Sequence, residues 1–155
     1  MTSRAPPEEQ SFAVPPLAVV VEDDEPIRDV LMMLLEDAGY ATACADSLGG
    51  ARRLLGLARP SVLLLDLNLR GELAVDLLAE LACAQDAPPT LLISASIAAP
   101  SVAQRFGIEL AAKPFDIDAL FVSIDRTRKG HRRPLHPAPV QRCDADGVQP
   151  SSGPT

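Results

Sequence analysis

The chain has no C-x-x-C pair, and its three cysteines, Cys44, Cys83 and Cys143, form an odd, widely spaced set. A disulfide framework and a cysteine-built zinc site are therefore not indicated, and Cys44 and Cys83 are expected to be buried thiols in a reducing compartment. No apolar stretch approaches the roughly 20 residues that span a bilayer. The N-terminus, with Glu8, Glu9 and several prolines, lacks a signal-peptide core. A cytoplasmic protein without membrane association is the expectation. Positive charge is also scarce: 14 Lys and Arg stand against 21 Asp and Glu, for a net charge of -7. That balance argues against nucleic-acid binding through a basic surface and in favour of cations or basic partners. Internal repeats are absent.

What is present is enough for one core. The 155 residues, 47% hydrophobic and 23% charged, have the balance of a single soluble globular domain. Nine of the 15 prolines fall in residues 1–16 and 129–155, so both tails read as disordered and the folded domain as 17–128. Within it, strand-like and helix-like segments alternate. A strand at 17–21 precedes a helix opened by Pro26 and closed near Gly39, striped by Ile27, Val30, Leu31, Leu34 and Leu35. A strand at 40–44, a helix capped by Ser47 and running to Ala58, a strand ending at Asp66 and a helix over about 73–84 follow. Then come a strand at 90–94, a weak segment at 101–106, a short strand at 109–112 and a helix over about 116–128. Five strands alternating with helices predict a parallel sheet covered on both faces, a doubly wound α/β sandwich. No effector domain is expected after residue 128.

The chemistry gathers where apolar runs end. Leu17-Ala18-Val19-Val20-Val21 runs into Glu22-Asp23-Asp24, Val62-Leu63-Leu64-Leu65 into Asp66, and Thr90-Leu91-Leu92-Ile93 into Ser94, while a fourth stretch reaches Lys113-Pro114. In a parallel sheet these ends share one rim, the place where α/β proteins bind ligands. An acid cluster, a lone Asp, a hydroxyl and an ammonium are the groups needed to move a phosphoryl group onto a carboxylate. Glu22, Asp23 and Asp66 supply oxygen ligands suited to Mg²⁺, and Lys113 and Ser94 supply a charge and a donor for phosphoryl oxygens. Singly, each has a plain structural explanation, as a solvated loop, a turn residue or a surface charge. Their joint occurrence at successive strand ends favours the functional one.

Val20-Val21-Glu22-Asp23-Asp24-Glu25-Pro26-Ile27-Arg28, Leu64-Leu65-Asp66-Leu67-Asn68, Leu92-Ile93-Ser94-Ala95 and Lys113-Pro114-Phe115 together resemble the receiver domain of bacterial two-component response regulators. The resemblance covers about residues 17–124. It implies a flavodoxin-like five-stranded parallel sheet of order 2-1-3-4-5 with helices on both faces. It further implies that Asp66 accepts phosphate from a histidine kinase or phosphotransfer protein, so as to change binding to an unknown downstream protein. Mg²⁺ would be held by Glu22, Asp23, Asp66 and the backbone carbonyl of Asn68, with Ser94 and Lys113 completing the site and a cis peptide between Lys113 and Pro114. Such a protein would phosphorylate and dephosphorylate only its own Asp, as a stand-alone, chemotaxis-regulator-like receiver. Asp24 and Glu25 extend the acidic run, but the 43-residue separation of Asp23 from Asp66 fits the family pattern and places the metal pair directly after Val21.

Three departures concern output. Lys113 follows Ser94 by 19 residues, shorter than the family pattern, and Pro100 lies between them, so the fourth helix is expected to be short or poorly formed. Leu110 stands where many receivers carry a switching aromatic, and Arg70 where a proline often follows the phosphoacceptor. Two other functions compete. A non-switching receiver-fold adaptor is suggested by Leu110 and the shortened fourth helix, and opposed by the intact Glu22, Asp23, Asp66, Ser94 and Lys113. A phosphatase of the haloacid dehalogenase type would need an acid two residues after Asp66, where Asn68 stands, and a cap domain for which there is no room. Asn68 and Ser96 occupy positions that tune dephosphorylation in receivers. The basic cluster of Arg126, Arg128, Lys129, Arg132 and Arg133 reads as a dipole-compensating helix end, and His131 and His136 as tail residues without a phosphodonor role.

Overall fold

The computed structural model describes residues 13–131. The expected tails lie largely outside that range, as do Cys143 and His136. The elements are β1 (Leu17–Val21), α1 (Glu25–Asp37), β2 (Ala41–Ala45), α2 (Leu48–Leu57), β3 (Val62–Asp66), β4 (Asn68–Leu69), β5 (Glu72–Leu73), α3 (Val75–Cys83), β6 (Thr90–Ser94), α4 (Ala99–Phe106), β7 (Glu109–Ala112) and α5 (Ile117–Gly130). Five strands form one sheet in the order β2-β1-β3-β6-β7, with every neighbour parallel. This is the doubly wound, flavodoxin-like sheet expected from the alternation and the resemblance. β4 and β5 form a separate antiparallel hairpin.

The central strands β1, β3 and β6 carry apolar residues continuously because both of their faces are covered. Alternate side chains go to opposite sides. Val19, Val21, Leu63, Leu65 and Leu92 pack with Leu48 and Ala51 of α2, Leu77 and Leu78 of α3, and Ala99 and Ala103 of α4. Ala18, Val20, Leu64, Leu91 and Ile93 pack with Leu31 and Leu35 of α1 and Leu120 and Ile124 of α5. Each buried Leu or Ile side chain contributes about 1.5–3 kcal/mol, so these two half-cores hold the strand ends in register.

The caps follow the chemistry of the sequence. Asp24 accepts from the Ile27 amide at 3.1 Å and Ser47 from the Gly50 amide at 3.1 Å, satisfying amides that would otherwise be unpaired at the starts of α1 and α2. α4 is short, as expected, with eight residues, and those residues make a formed two-turn helix. Pro100 sits in its first turn, where the missing amide hydrogen costs no helical bond, and Gly107 ends it at φ 64°, a left-handed cap. α3 starts at Val75, because Glu72 and Leu73 are used in the hairpin.

The cysteine expectation is overturned. Cys44 is a free, exposed thiol on the edge strand β2, whose flank is incompletely covered. Cys83, exposed at the last residue of α3, is disulfide-bonded. At the end of α5, Arg128 donates to the Tyr40 hydroxyl at 2.7 Å and stacks over its ring, consistent with a structural helix end. Among the described residues, no helix is long and apolar enough to cross a membrane.

Candidate functional site at the carboxyl rim

The strand order reverses between β1 and β3, and a crevice opens at the carboxyl ends of a parallel sheet where this happens. Val21 pairs with Leu65, so Glu22, the next residue along, comes level with Asp66. Asp66 in turn pairs with Ile93, and Ser94 with Ala112, so Ser94 and Lys113 follow on the other side of Asp66. The register of three strand pairs therefore assembles residues from four separate segments.

Potential ligand oxygens of Glu22, Asp23 and Asp66 all lie within 4.8 Å of one another. Glu22 is 1% exposed and Asp66 6%, whereas Asp23 is half-buried at the mouth. Lys113 Nζ donates to Glu22 Oε2 at 2.6 Å and to Asp66 Oδ2 at 3.1 Å. The other Glu22 oxygen accepts from the Asp24 amide at 3.2 Å, and Asp66 Oδ1 accepts from the Asn68 amide at 3.2 Å. Asp23 Oδ2 accepts from the Arg70 amide at 2.9 Å. The ambiguous acidic run is thereby divided by role: Glu22 and Asp23 enter the cluster, while Asp24 caps α1.

Ser94 is buried, and its Oγ accepts from the Ser96 amide at 3.0 Å, which leaves its own hydrogen available to donate. Its carbonyl receives the Lys113 amide at 2.9 Å, and the Lys113–Pro114 peptide is cis, as the resemblance implied. Leu110 is half-buried against the cluster that contains α4, and Asn68 is exposed at the start of β4. All five side chains singled out in the sequence, Glu22, Asp23, Asp66, Ser94 and Lys113, thus stand at the same rim.

The electrostatics are unbalanced, since one ammonium faces three carboxylates. Burial raises the Glu22 carboxyl above its ordinary range, against the lowering effect of the Lys113 bond and the Asp24 amide. Asp23 is held below its ordinary value, chiefly by the bond from the Arg70 amide. For Lys113, burial favours the neutral amine, but the bonds and charges of Glu22 and Asp66 together outweigh it and raise its pKa. Three carboxylates gathered around oxygen-only chemistry form a set that suits a small hard cation such as Mg²⁺.

Sequence reasoning misses the hairpin β4–β5 and with it Arg70, which stands out there only as a departure from proline. The available signal is Arg70-Gly71 between two short segments, a pattern too brief to mark strands by alternation.

The chain matches the family model for the response regulator receiver domain over residues 18–125 and belongs to that family. Among curated proteins it is 30% identical over 135 residues to the DNA-binding transcriptional regulator NtrC of Klebsiella pneumoniae, a match covering 84% of this chain and 29% of that protein. The chain thus spans less than a third of the length of that relative. Among solved structures, the non-phosphorylated HemR receiver domain of Leptospira biflexa superposes with a TM-score of 0.67 at 24% identity, covering 78% of this chain and 99% of that one. A response regulator from Burkholderia pseudomallei, solved with a phosphorylated aspartic acid, calcium and citrate, gives a TM-score of 0.65 at 25% identity, covering 74% and 69%. The chain is therefore a response regulator receiver domain of the two-component type.

Proposed function

We propose that this receiver takes a phosphoryl group on Asp66 from a histidine kinase or phosphotransfer protein, and that the aspartyl phosphate changes its affinity for a downstream protein. The observation that carries this reading is the Lys113 ammonium, 3.1 Å from Asp66 Oδ2 within an otherwise acidic cluster. An Asp66 oxygen attacks phosphorus, the P–O bond forms as the donor's P–N bond to imidazole breaks, and the imidazole takes up a proton from solvent. Lys113 stabilises charge on the phosphoryl oxygens, and Ser94 donates its hydroxyl hydrogen to one of them. Glu22, Asp23, Asp66 and the Asn68 carbonyl would hold Mg²⁺, which when bound supplies the divalent charge that offsets repulsion between carboxylate and phosphoryl oxygens. The Burkholderia structure, with its phosphorylated aspartic acid and metal ion, supports the assignment by similarity.

The proposed readout starts at Ser94. Its Oγ holds the Ser96 amide, and Ser96 Oγ in turn accepts from the Ala98 amide at 3.2 Å, so drawing Ser94 toward a phosphoryl group pulls on the connection into α4. Leu110 has no ring to rotate, which concentrates the change on that connection. The protein turns over no metabolite, and its site is expected to work in the cytoplasm. Its net charge of -7 gives no basis for binding nucleic acid by itself.

Incubation with Mg²⁺ and a small phosphodonor is expected to add the mass of one phosphoryl group, labile to hydroxylamine and mapping to Asp66. Chelator should prevent it. No mass gain with donor and Mg²⁺ in excess would overturn the proposal. Mg²⁺ alone should raise the melting temperature, because it binds the folded cluster and relieves carboxylate repulsion there. At about a hundred times its dissociation constant the gain is about 2.7 kcal/mol, reversed by chelator. An unchanged melting curve under saturating Mg²⁺ would count against the metal assignment.

A further inference from the structure

The hairpin β4–β5 turns through Arg70 and Gly71, which have φ of 51° and 81°. Asn68 pairs with Leu73 and Leu69 with Glu72, so these two are the central residues of the turn, with the positive φ values of type I′. Glycine adopts such a φ freely, and Asn or Asp is the usual residue at the first position. An arginine there is disfavoured and calls for a reason. Two contacts offer one. The Arg70 guanidinium lies 2.6 Å from Asp46 Oδ2, on the connection between β2 and α2, and the Arg70 amide donates to Asp23 Oδ2 at 2.9 Å. Leu69, between the two amides that hold Asp66 and Asp23, is buried and anchors the strand from below.

We infer that Arg70 is a positioning residue for the cation cluster: its ion pair with Asp46 pins the hairpin so that its amide fixes the Asp23 carboxylate toward Glu22 and Asp66. This rests on the Mg²⁺ role proposed above. The half-buried Asp23 is the carboxylate of the cluster with the most freedom, and the hairpin is its only hydrogen-bond partner outside its own loop among the described residues. The sequence separation explains why the link is invisible in one dimension: β2–α2, β1–α1 and β4–β5 meet only once the sheet is closed.

Calorimetric titration of the full chain with Mg²⁺ tests the inference. Arg70→Asn keeps a residue suited to positive φ and deletes the ion pair, while Asp46→Asn deletes the pair from the other side. Each is expected to weaken Mg²⁺ binding about threefold to fivefold, the range an exposed pair supports. The double variant should be no worse than either single one, and Arg70→Lys should stay within about twofold of wild type. A mere change in the local field gives opposite signs, since losing Arg70 makes the site more negative and losing Asp46 makes it less so. Opposite signs, or wild-type affinity in both variants, would overturn the inference while leaving the Mg²⁺ site standing. Failure of the wild-type protein to bind Mg²⁺ would overturn both.

Discussion

Replacing Asp66 by asparagine is expected to abolish phosphoryl uptake completely and to leave the fold at least as stable as the wild type. An amide of nearly the same shape fills the position, but its nitrogen lone pair is delocalised and its oxygen carries no full charge, so neither acts as the phosphate acceptor. Stability should hold because Asp66 is one of the charges that disfavour ionised Glu22. Removing it relieves that repulsion, and the Asn carbonyl can still accept from Lys113. The folded pKa of Glu22 lies above its ordinary value. Such a group contributes stability that is present at low pH and lost as pH rises through the folded pKa. The variant's advantage should therefore grow with pH across the carboxylate range and level off above it. Urea melts at acid and neutral pH, with mass spectrometry after phosphodonor treatment, measure both effects. Residual phosphorylation elsewhere on the chain, or a clear loss of stability at neutral pH, would contradict the role assigned to Asp66.

Lys113→Met should have the opposite effect on stability. Lys113 is 16% exposed at its side chain and Glu22 1%, so the pair is substantially removed from water. Deleting one partner leaves Glu22 and Asp66 facing each other without compensation, a change that typically costs several kcal/mol in a buried pair. Because Glu22 can escape part of this penalty by taking up a proton, the expected loss is about 3 kcal/mol at neutral pH. It should be smaller at acid pH. The Lys113 bond and charge lower the Glu22 pKa, so their removal raises it further above the unfolded value, and the penalty appears as pH climbs past the ordinary carboxylate range. Added Mg²⁺ should recover part of the loss by restoring positive charge to the cluster. Equal destabilisation at acid and neutral pH would mean that lost packing of the lysine stem, and not charge, dominates.

Both expectations depend on residues that are legible in the sequence alone. Asp66, Ser94 and the Glu22-Asp23 pair can be read because each terminates an apolar run, and a buried strand has to surrender its polar groups at its ends. Lys113 is readable in the same way from the stretch before Pro114. The helix start at Ser47 is readable because its side chain satisfies an amide only three residues away, a local matter. The shortness of α4 is readable too, but not that it is fully formed, because Pro100 counts as a breaker in a helix interior and as an initiator in a first turn, and where the first turn falls is set by packing through Ala99 and Ala103. The exposure of Cys44 escapes a sequence reading for a related reason: β2 is an edge strand, and edges are assigned by sheet order.

Periodicity and termination are properties of short segments, so the order of residues was enough to show which side chains can serve a phosphoryl site and that they fall at strand ends. It took closure of the sheet to bring Glu22 and Asp66 to one ammonium at 2.6 and 3.1 Å, and to assign Asp24 to a helix cap instead of the cluster. Closure also joined Arg70 to both Asp46 and Asp23. Those contacts arise from parallel pairing between strands separated by tens of residues. The register that creates them is held by the two half-cores on opposite faces of the sheet, where the free energy depends on which residues meet across the fold and not on their order along it.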